Sequence, residues 1–305
     1  MVELLIVGCG PAGLTAGIYS ARYGVECELL GKDYGLLGEA HQVENYPGFS
    51  SIGGLELAER MLSQLKGYGV QVRLGVEVLR IRREGGGFRA ELAEGETLSS
   101  RAVIYAAGSR HRRLEIPGEA EFQGRGVSYC AVCDAPLYRG KTVVVIGGRN
   151  SAAQSALLLS QHASKVFIAY RGSKLRCDPI LAERVEGNPR IEVLYEVTPV
   201  RFLGGKVLEA VEFKRETGES FQLKVDGVFV EIGTVPNVEP VKGLGVELDE
   251  DGRIRVKADM STSVEGFFAA GNVTNGSNRL DQIVTAAAEG ALAATSAYRY
   301  LRGEG

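Results

Sequence analysis

Two cysteines three residues apart carry the most specific chemistry in this chain, in the segment Cys130-Ala131-Val132-Cys133-Asp134. The C-x-x-C spacing lets two thiols close a small disulfide ring, and a helical turn there lowers a thiol pKa through the helix N-terminus, so that the reactive thiolate becomes available. Asp134, directly after the pair, is placed to act as the acid or base that moves a proton when the disulfide is reduced. Two other readings compete. Zinc needs four ligands, commonly from a second Cys or His pair; no such pair exists and only His162 and Cys177 stand as candidates to complete a site, so no metal is expected. A plain structural pair is disfavoured by the acidic neighbour, which suits buried inert thiols badly. The remaining cysteines are isolated. Cys9 and Cys27 read as packed small residues, and Cys177 follows Arg176. An odd count of five argues against a secreted disulfide framework.

A second constellation is a glycine turn, Gly8-Cys9-Gly10-Pro11-Ala12-Gly13, set between an apolar strand (3–7) and a helix (14–22). In that context a GxGxxG gains meaning: Gly8 permits the tight turn, Gly10 lets the backbone approach a pyrophosphate, and Gly13 allows helix and strand to pack closely. The amides at the helix start face the anion. The acidic residue expected about 20 residues on is not decisive, because Glu28 comes early and Asp33 late. The same opening recurs: a strand at 142–146, the turn Gly147-Gly148-Arg149-Asn150-Ser151-Ala152, a helix at 150–161 and a strand at 166–169. Helices are also expected at 55–65 and 282–300, with strands near 70–73, 76–82, 88–92, 102–106, 191–195, 207–214 and 228–232.

The rest of the composition is that of an ordinary globular protein. The chain is 305 residues long, 45% hydrophobic and 24% charged, with net charge -3 and no apolar run that could span a bilayer. Neither nucleic acid nor membrane is an expected partner. Met1 to Val7 run straight into the glycine turn and read as a strand rather than a leader, so a cytoplasmic location is expected. His41 and His162 have no partner identifiable in the sequence.

With these motifs in place, the sequence resembles the low-molecular-weight thioredoxin reductases along essentially its whole length. The segments that carry the likeness are 10–16, Val43-Glu44-Asn45-Tyr46-Pro47-Gly48, Ala106-Ala107-Gly108, 124–130, Ile232-Gly233 with Pro236-Asn237, Ala269-Ala270-Gly271-Asn272-Val273 and 282–286. The resemblance implies an α/β fold of two Rossmann-like, three-layer ββα nucleotide-binding domains, the second inserted into the first. An FAD domain would comprise 1–112 and 240–305, and a pyridine-nucleotide-like domain carrying the cysteines 113–239. It implies FAD contacts from Gly8, Gly10, Pro11, Ala12, Gly13, Gly31, Lys32, Gly35, Leu36, Asn45, Ala107, Gly108, Gly271, Asn272, Asp281, Gln282 and Ile283. The last helix would point its N-terminus at the flavin, where its dipole stabilises the anionic reduced ring. It also implies a homodimer in which reduced flavin passes two electrons to the disulfide, Cys133 lying nearest the ring, before the central domain rotates to present the dithiol to thioredoxin.

The chain departs from the family pattern on the nucleotide side. Arg149 takes the second fingerprint glycine of Gly147, Asn150, Ser151 and Ala152, and the His-Arg-Arg patch for the 2′-phosphate of NADPH aligns with Tyr170-Arg171-Gly172, although Arg176 remains. Near the flavin, Gly-Asp becomes Gly271-Asn272, and Asp281 replaces an arginine. NADPH is therefore expected to be a poor donor, with ferredoxin or a reduced deazaflavin as candidates. Two alternatives to a thioredoxin-disulfide reductase stand beside it: a flavin dithiol oxidase passing electrons to oxygen, and a flavin redox sensor without turnover.

Overall fold

The computed structural model describes residues 1–40 and 42–304, and His41 lies outside them. The chain divides into two compact units, 1–110 with 235–305, and 111–234. Both crossings come earlier than 112/113 and 239/240. Asn237 accounts for the second: its N–H and side-chain amide donate to Gly108 O and Ala107 O at 3.0 and 2.9 Å, and its carbonyl accepts from the Tyr105 hydroxyl at 2.9 Å. Arg112 N donates instead to Gly233 O at 2.9 Å. The connecting segments Ser109–His111 and Thr234–Pro236 pair as a two-stranded sheet.

In the first unit a seven-stranded sheet runs in the order Gln71–Leu74, Cys27–Gly31, Val2–Val7, Thr97–Tyr105, Gly87–Leu92, Val78–Glu84, with Phe267–Ala269 pairing with Thr97–Tyr105. The strands that carry the first glycine turn and its neighbours are parallel. A parallel strand is covered on both faces and reads as a continuous apolar run. Its alternation is visible only in what each residue packs against. Leu4 and Ile6 join the core formed with the helices Pro11–Arg22, Gly54–Lys66 and Ile283–Arg302, while Leu5 and Val7 join the opposite core with Ile81, Phe88 and Phe267. The first and last helices approach so closely that a Cβ on Gly290 would stand 2.1 Å from Ala12 O.

The second unit repeats the scheme. A five-stranded parallel sheet has the order Ile191–Tyr195, Lys165–Tyr170, Thr142–Ile146, Gly227–Val230, Val127–Ser128. Val143 and Val145 face the helices Asn150–Leu159 and Pro179–Glu186; Val144 and Ile146 face the antiparallel sheet of Val197–Gly204, Leu208–Arg215 and Ser220–Lys224. The helix Pro179–Glu186 and the strand Ser220–Lys224 were not expected from the sequence. The helix is short, and its start signal is Pro179 at the first helical position after Asp178. Both units place their functional loops at the carboxyl ends of parallel strands, where open α/β sheets bind ligands.

Candidate active site

Cys130 and Cys133 are joined by a disulfide across a Cα separation of 5.4 Å. They stand just beyond the carboxyl end of Val127–Ser128, the edge strand of the second sheet. Cys130 caps the four-residue helical turn Ala131–Asp134: its Sγ accepts the Cys133 N–H at 3.1 Å, and its carbonyl accepts the Asp134 N–H at 3.2 Å. Ser128 fixes the approach, its Oγ accepting the Cys130 N–H at 3.0 Å and donating to Cys130 O at 3.3 Å. Cys130 and Asp134 line an open cleft of about 610 Å³ together with Gln123, Gly124, Ser128 and Tyr129, whereas Cys133 is exposed outside that lining.

Behind the cleft stands a carboxylate that sequence reading missed. Glu119 is buried and accepts the N–H groups of Leu114 and Glu115 at 2.9 and 2.6 Å and the hydroxyl of Tyr129 at 2.7 Å. Burial, then the bond to Glu119, pushes the Tyr129 phenol well above its ordinary range, so Tyr129 remains a donor to the carboxylate. The Arg113 guanidinium lies 5.9 Å from the ring centroid. The residue before the redox pair is thus tied to the segment that enters this unit. Among the described residues no group of three or more His, Cys, Asp or Glu could hold a metal ion.

In the first unit the glycine turn is closed by tight backbone approaches at two of its glycines. Gly8 has φ +118°, and a Cβ there would stand 2.1 Å from Ala106 O; one on Gly13 would stand 1.8 Å from Gly8 O. Gly10 is different. The nearest atom to its Cβ position is Tyr34 O at 3.7 Å, so the backbone is open on that side, and no side chain caps the helix that follows Pro11. Uncapped helix-start amides beside an open glycine are an anion cradle, and the residues present fit the pyrophosphate of FAD. Around this edge lie Gly31 at the end of its strand, the turn Gly35–Leu37 containing Leu36, and Asn45, whose side-chain amide donates to Gln282 Oε1 at 2.8 Å. Lys32 is drawn to Glu77 at 3.4 Å, both side chains being exposed. Gly271 N donates to the buried Glu289 at 2.7 Å, and Thr274 Oγ1 donates to the same oxygen at 3.1 Å. Glu289 is a second carboxylate absent from the sequence reading. The last helix starts at Ile283, and the Gln282 N–H is held by Thr285 Oγ1 at 3.3 Å.

Asp281 is paired within the chain. Both its oxygens accept from Arg253 at 2.7 Å, and the same guanidinium donates to Asn272 O and Thr274 O at 3.3 and 3.2 Å. Its charge is answered within the chain. The second glycine turn keeps the conformation of the first at Gly147, with φ +149° and a Cβ that would stand 2.1 Å from Glu231 O, and it packs Ala152 fully buried. Arg149 caps the following helix in an extended conformation with its side chain exposed, as are Ser151, Arg171 and Arg176. Asn150 donates to Asp178 Oδ2 at 2.9 Å and accepts the Asp178 N–H at 2.8 Å.

Comparison with known proteins gives the family. The family model described as pyridine nucleotide-disulphide oxidoreductase matches residues 2–290. A thioredoxin reductase of Bacillus subtilis (strain 168) is 39% identical over 305 residues, which cover 98% of this chain and 94% of that protein. The crystal structure of Lactococcus lactis thioredoxin reductase superimposes with a TM-score of 0.95 at 35% identity, covering 99% of this chain and 100% of that one. A ferredoxin-flavin thioredoxin reductase from Clostridium acetobutylicum is 31% identical with a TM-score of 0.54, covering 99% and 98% of the two chains. The chain belongs to the pyridine nucleotide-disulphide oxidoreductase family, as an oxidoreductase of its thioredoxin reductase-like branch.

Proposed function

We propose that this enzyme is an FAD-dependent thioredoxin-disulfide reductase that delivers electrons through Cys130 and Cys133 to thioredoxin or a similar protein, from a donor other than NADPH. The observation that carries the reading is the disulfide on its helical turn, with Cys130 on an open cleft and its sulfur already accepting an amide N–H. The first unit is the FAD domain, and the second presents the cysteines. Bound FAD supplies two electrons to the disulfide.

The pair takes those electrons with one proton, moved by Asp134 from its place in the same turn, and becomes the Cys133 thiol and the Cys130 thiolate. Cys133 would be the sulfur that takes the electrons from bound FAD, and Cys130 the one that meets the partner, because Cys130 lines the cleft. The Cys133 N–H stabilises the Cys130 thiolate by a charge-assisted hydrogen bond. That thiolate attacks one sulfur of the partner's disulfide and releases the other, forming a mixed disulfide. Cys133 then attacks Cys130, which restores the intramolecular disulfide and frees the partner as a dithiol. Ser128 holds the Cys130 backbone still through both exchanges.

Ferredoxin or a reduced deazaflavin is the donor class we propose. The joint loss of the second fingerprint glycine, to Arg149, and of the patch arginine, to Gly172, supports it, and a ferredoxin-flavin enzyme is among the similar structures. A cytoplasmic homodimer is the working form we propose. Anaerobic titration of the FAD-loaded protein with NADPH, NADH, reduced ferredoxin and reduced deazaflavin, following the flavin band and thioredoxin thiols, tests the assignment. Rapid bleaching by stoichiometric NADPH overturns the donor; reduced flavin that yields no thioredoxin thiols overturns the acceptor.

A further inference from the structure

The two glycine turns of this chain are built on one template and differ where each meets the strand beside it. In both, the N–H of the first glycine donates to the residue ending the adjoining strand's paired register: Gly8 to Leu30 O at 2.7 Å, Gly147 to Ala169 O at 3.0 Å. The next residue of that strand, Gly31 in the first unit and Tyr170 in the second, therefore occupies the same place relative to its turn. It is the end of the second strand, where a dinucleotide-binding unit reads the adenosine ribose. In the first unit the strand residue is small and the turn supplies the side chain: a Cβ on Gly31 would stand 2.6 Å from Cys9 Sγ. In the second unit the sizes are exchanged. The turn residue is Gly148, and the strand residue is a tyrosine.

The Tyr170 ring is lodged between two glycines. A Cβ at Gly148 would stand 2.4 Å from Cγ and Cδ2 of the ring, and a Cβ at Gly172 would stand 2.7 Å from its Cε1 on the other edge. The segment beyond is stitched to the turn, since Arg176 N donates to Gly148 O at 2.7 Å and Asn150 and Asp178 exchange their two bonds.

We infer that Tyr170 is a specificity-determining residue that closes the adenosine subsite of the second unit to pyridine dinucleotides, with the Asn150–Asp178 latch holding the closing segment in place. The inference rests on the reading that NADPH is not the donor, and it gives that reading a cause. Arg149 alone does not supply one, because an exposed guanidinium can pair with a phosphate as readily as obstruct it. The ring acts by occupancy. It also accounts for the glycine at 172, because any side chain there would overlap the ring. The arginine that the family pattern places at that position would meet the ring as it lies, and the ring would have to shift to admit it.

The test measures binding of 2′,5′-ADP and NADPH by calorimetry to the FAD-loaded protein, wild type, Tyr170→Phe and Tyr170→Ala. Photoreduction of the flavin followed by thioredoxin reduction checks that each variant is intact. Tyr170→Phe keeps the plug and binds as wild type does. Tyr170→Ala gains affinity by about tenfold or more, and NADPH then reduces its flavin faster. Tight NADPH binding by wild type overturns the donor reading together with the inference. Weak binding by wild type with no gain in an intact Tyr170→Ala overturns the inference and leaves the donor reading standing. A loss of affinity in Tyr170→Ala shows the ring to be a stacking platform, which also overturns it. Should Tyr170→Ala fail to fold, Asn150→Ala releases the latch without touching the ring, and the absence of any gain there counts against the proposal equally.

Discussion

Removing the Asp281 carboxylate should cost stability far more than it changes FAD affinity. Asp281 accepts two bonds of 2.7 Å from Arg253, whose side chain is only 13% exposed while that of Asp281 is 32% exposed. Breaking a fully buried pair by deleting one partner costs about 3–5 kcal/mol, and a surface pair is worth about 0–1 kcal/mol. With one member mostly buried and the other a third exposed, Asp281→Ala should cost about 2 kcal/mol. The Asn272 and Thr274 carbonyls at 3.3 and 3.2 Å still hold the stranded guanidinium in part, which keeps the loss below the buried limit. The assay is urea unfolding of wild type, Asp281→Ala, Arg253→Met and the double variant, with FAD affinity of each by fluorescence quenching. The double variant should recover part of the loss, giving a coupling energy of about 1–2 kcal/mol. Because Arg253 neutralises Asp281, FAD affinity should move by less than about threefold. Asp281→Ala that binds FAD much more tightly with unchanged stability would refute this reasoning, because it would mean that the charge faces the cofactor rather than Arg253.

Glu119→Gln offers one acceptor oxygen where two backbone N–H groups and the Tyr129 hydroxyl now converge, so at least one backbone amide loses its partner. The expected cost is about 1–3 kcal/mol in chemical denaturation, with slower thioredoxin reduction than flavin reduction; unchanged stability speaks against it. The buried thiols Cys9 and Cys27 are both pushed up from 9.0 to about 12 by burial, the Asp33 carboxylate adding to the effect at Cys9. A thiol whose folded pKa is raised stays protonated after its unfolded counterpart has ionised. Its stabilisation is therefore complete below pH 9.0 and is lost as pH rises toward about 12. In that window each thiol should contribute about -1.4 kcal/mol per pH unit to the stability slope, and Cys27→Ala should flatten the curve by that amount; parallel curves would contradict it. Cys177 is half-buried and should be alkylated in the native protein well before Cys9 or Cys27, as peptide mapping after brief iodoacetamide treatment at pH 8 would show.

What the sequence made legible was local. Cys130 and Cys133 are three residues apart, and Gly8, Gly10 and Gly13 fall within one strand–turn–helix, so spacing alone carries their geometry. The residues that escaped reading act across distance. Asp281 looked like an unbalanced charge because its partner Arg253 lies 28 residues earlier. Glu289 meets Gly271 across 18 residues and the junction of a strand and a helix, a relation that no periodicity encodes. The Tyr170-Arg171-Gly172 patch reads in sequence as the loss of one arginine, and that the Tyr170 ring lies between Gly148 and Gly172 is visible only in three dimensions. A common rule underlies these cases. In each unit a buried carboxylate ties a functional loop: Glu119 behind the cysteines accepts two backbone N–H groups, and Glu289 behind the Gly271 turn accepts one together with the Thr274 hydroxyl. A buried carboxylate is costly unless donors surround it. Such a residue therefore fixes several segments at once, and its position follows from where those segments must meet rather than from its neighbours in the chain.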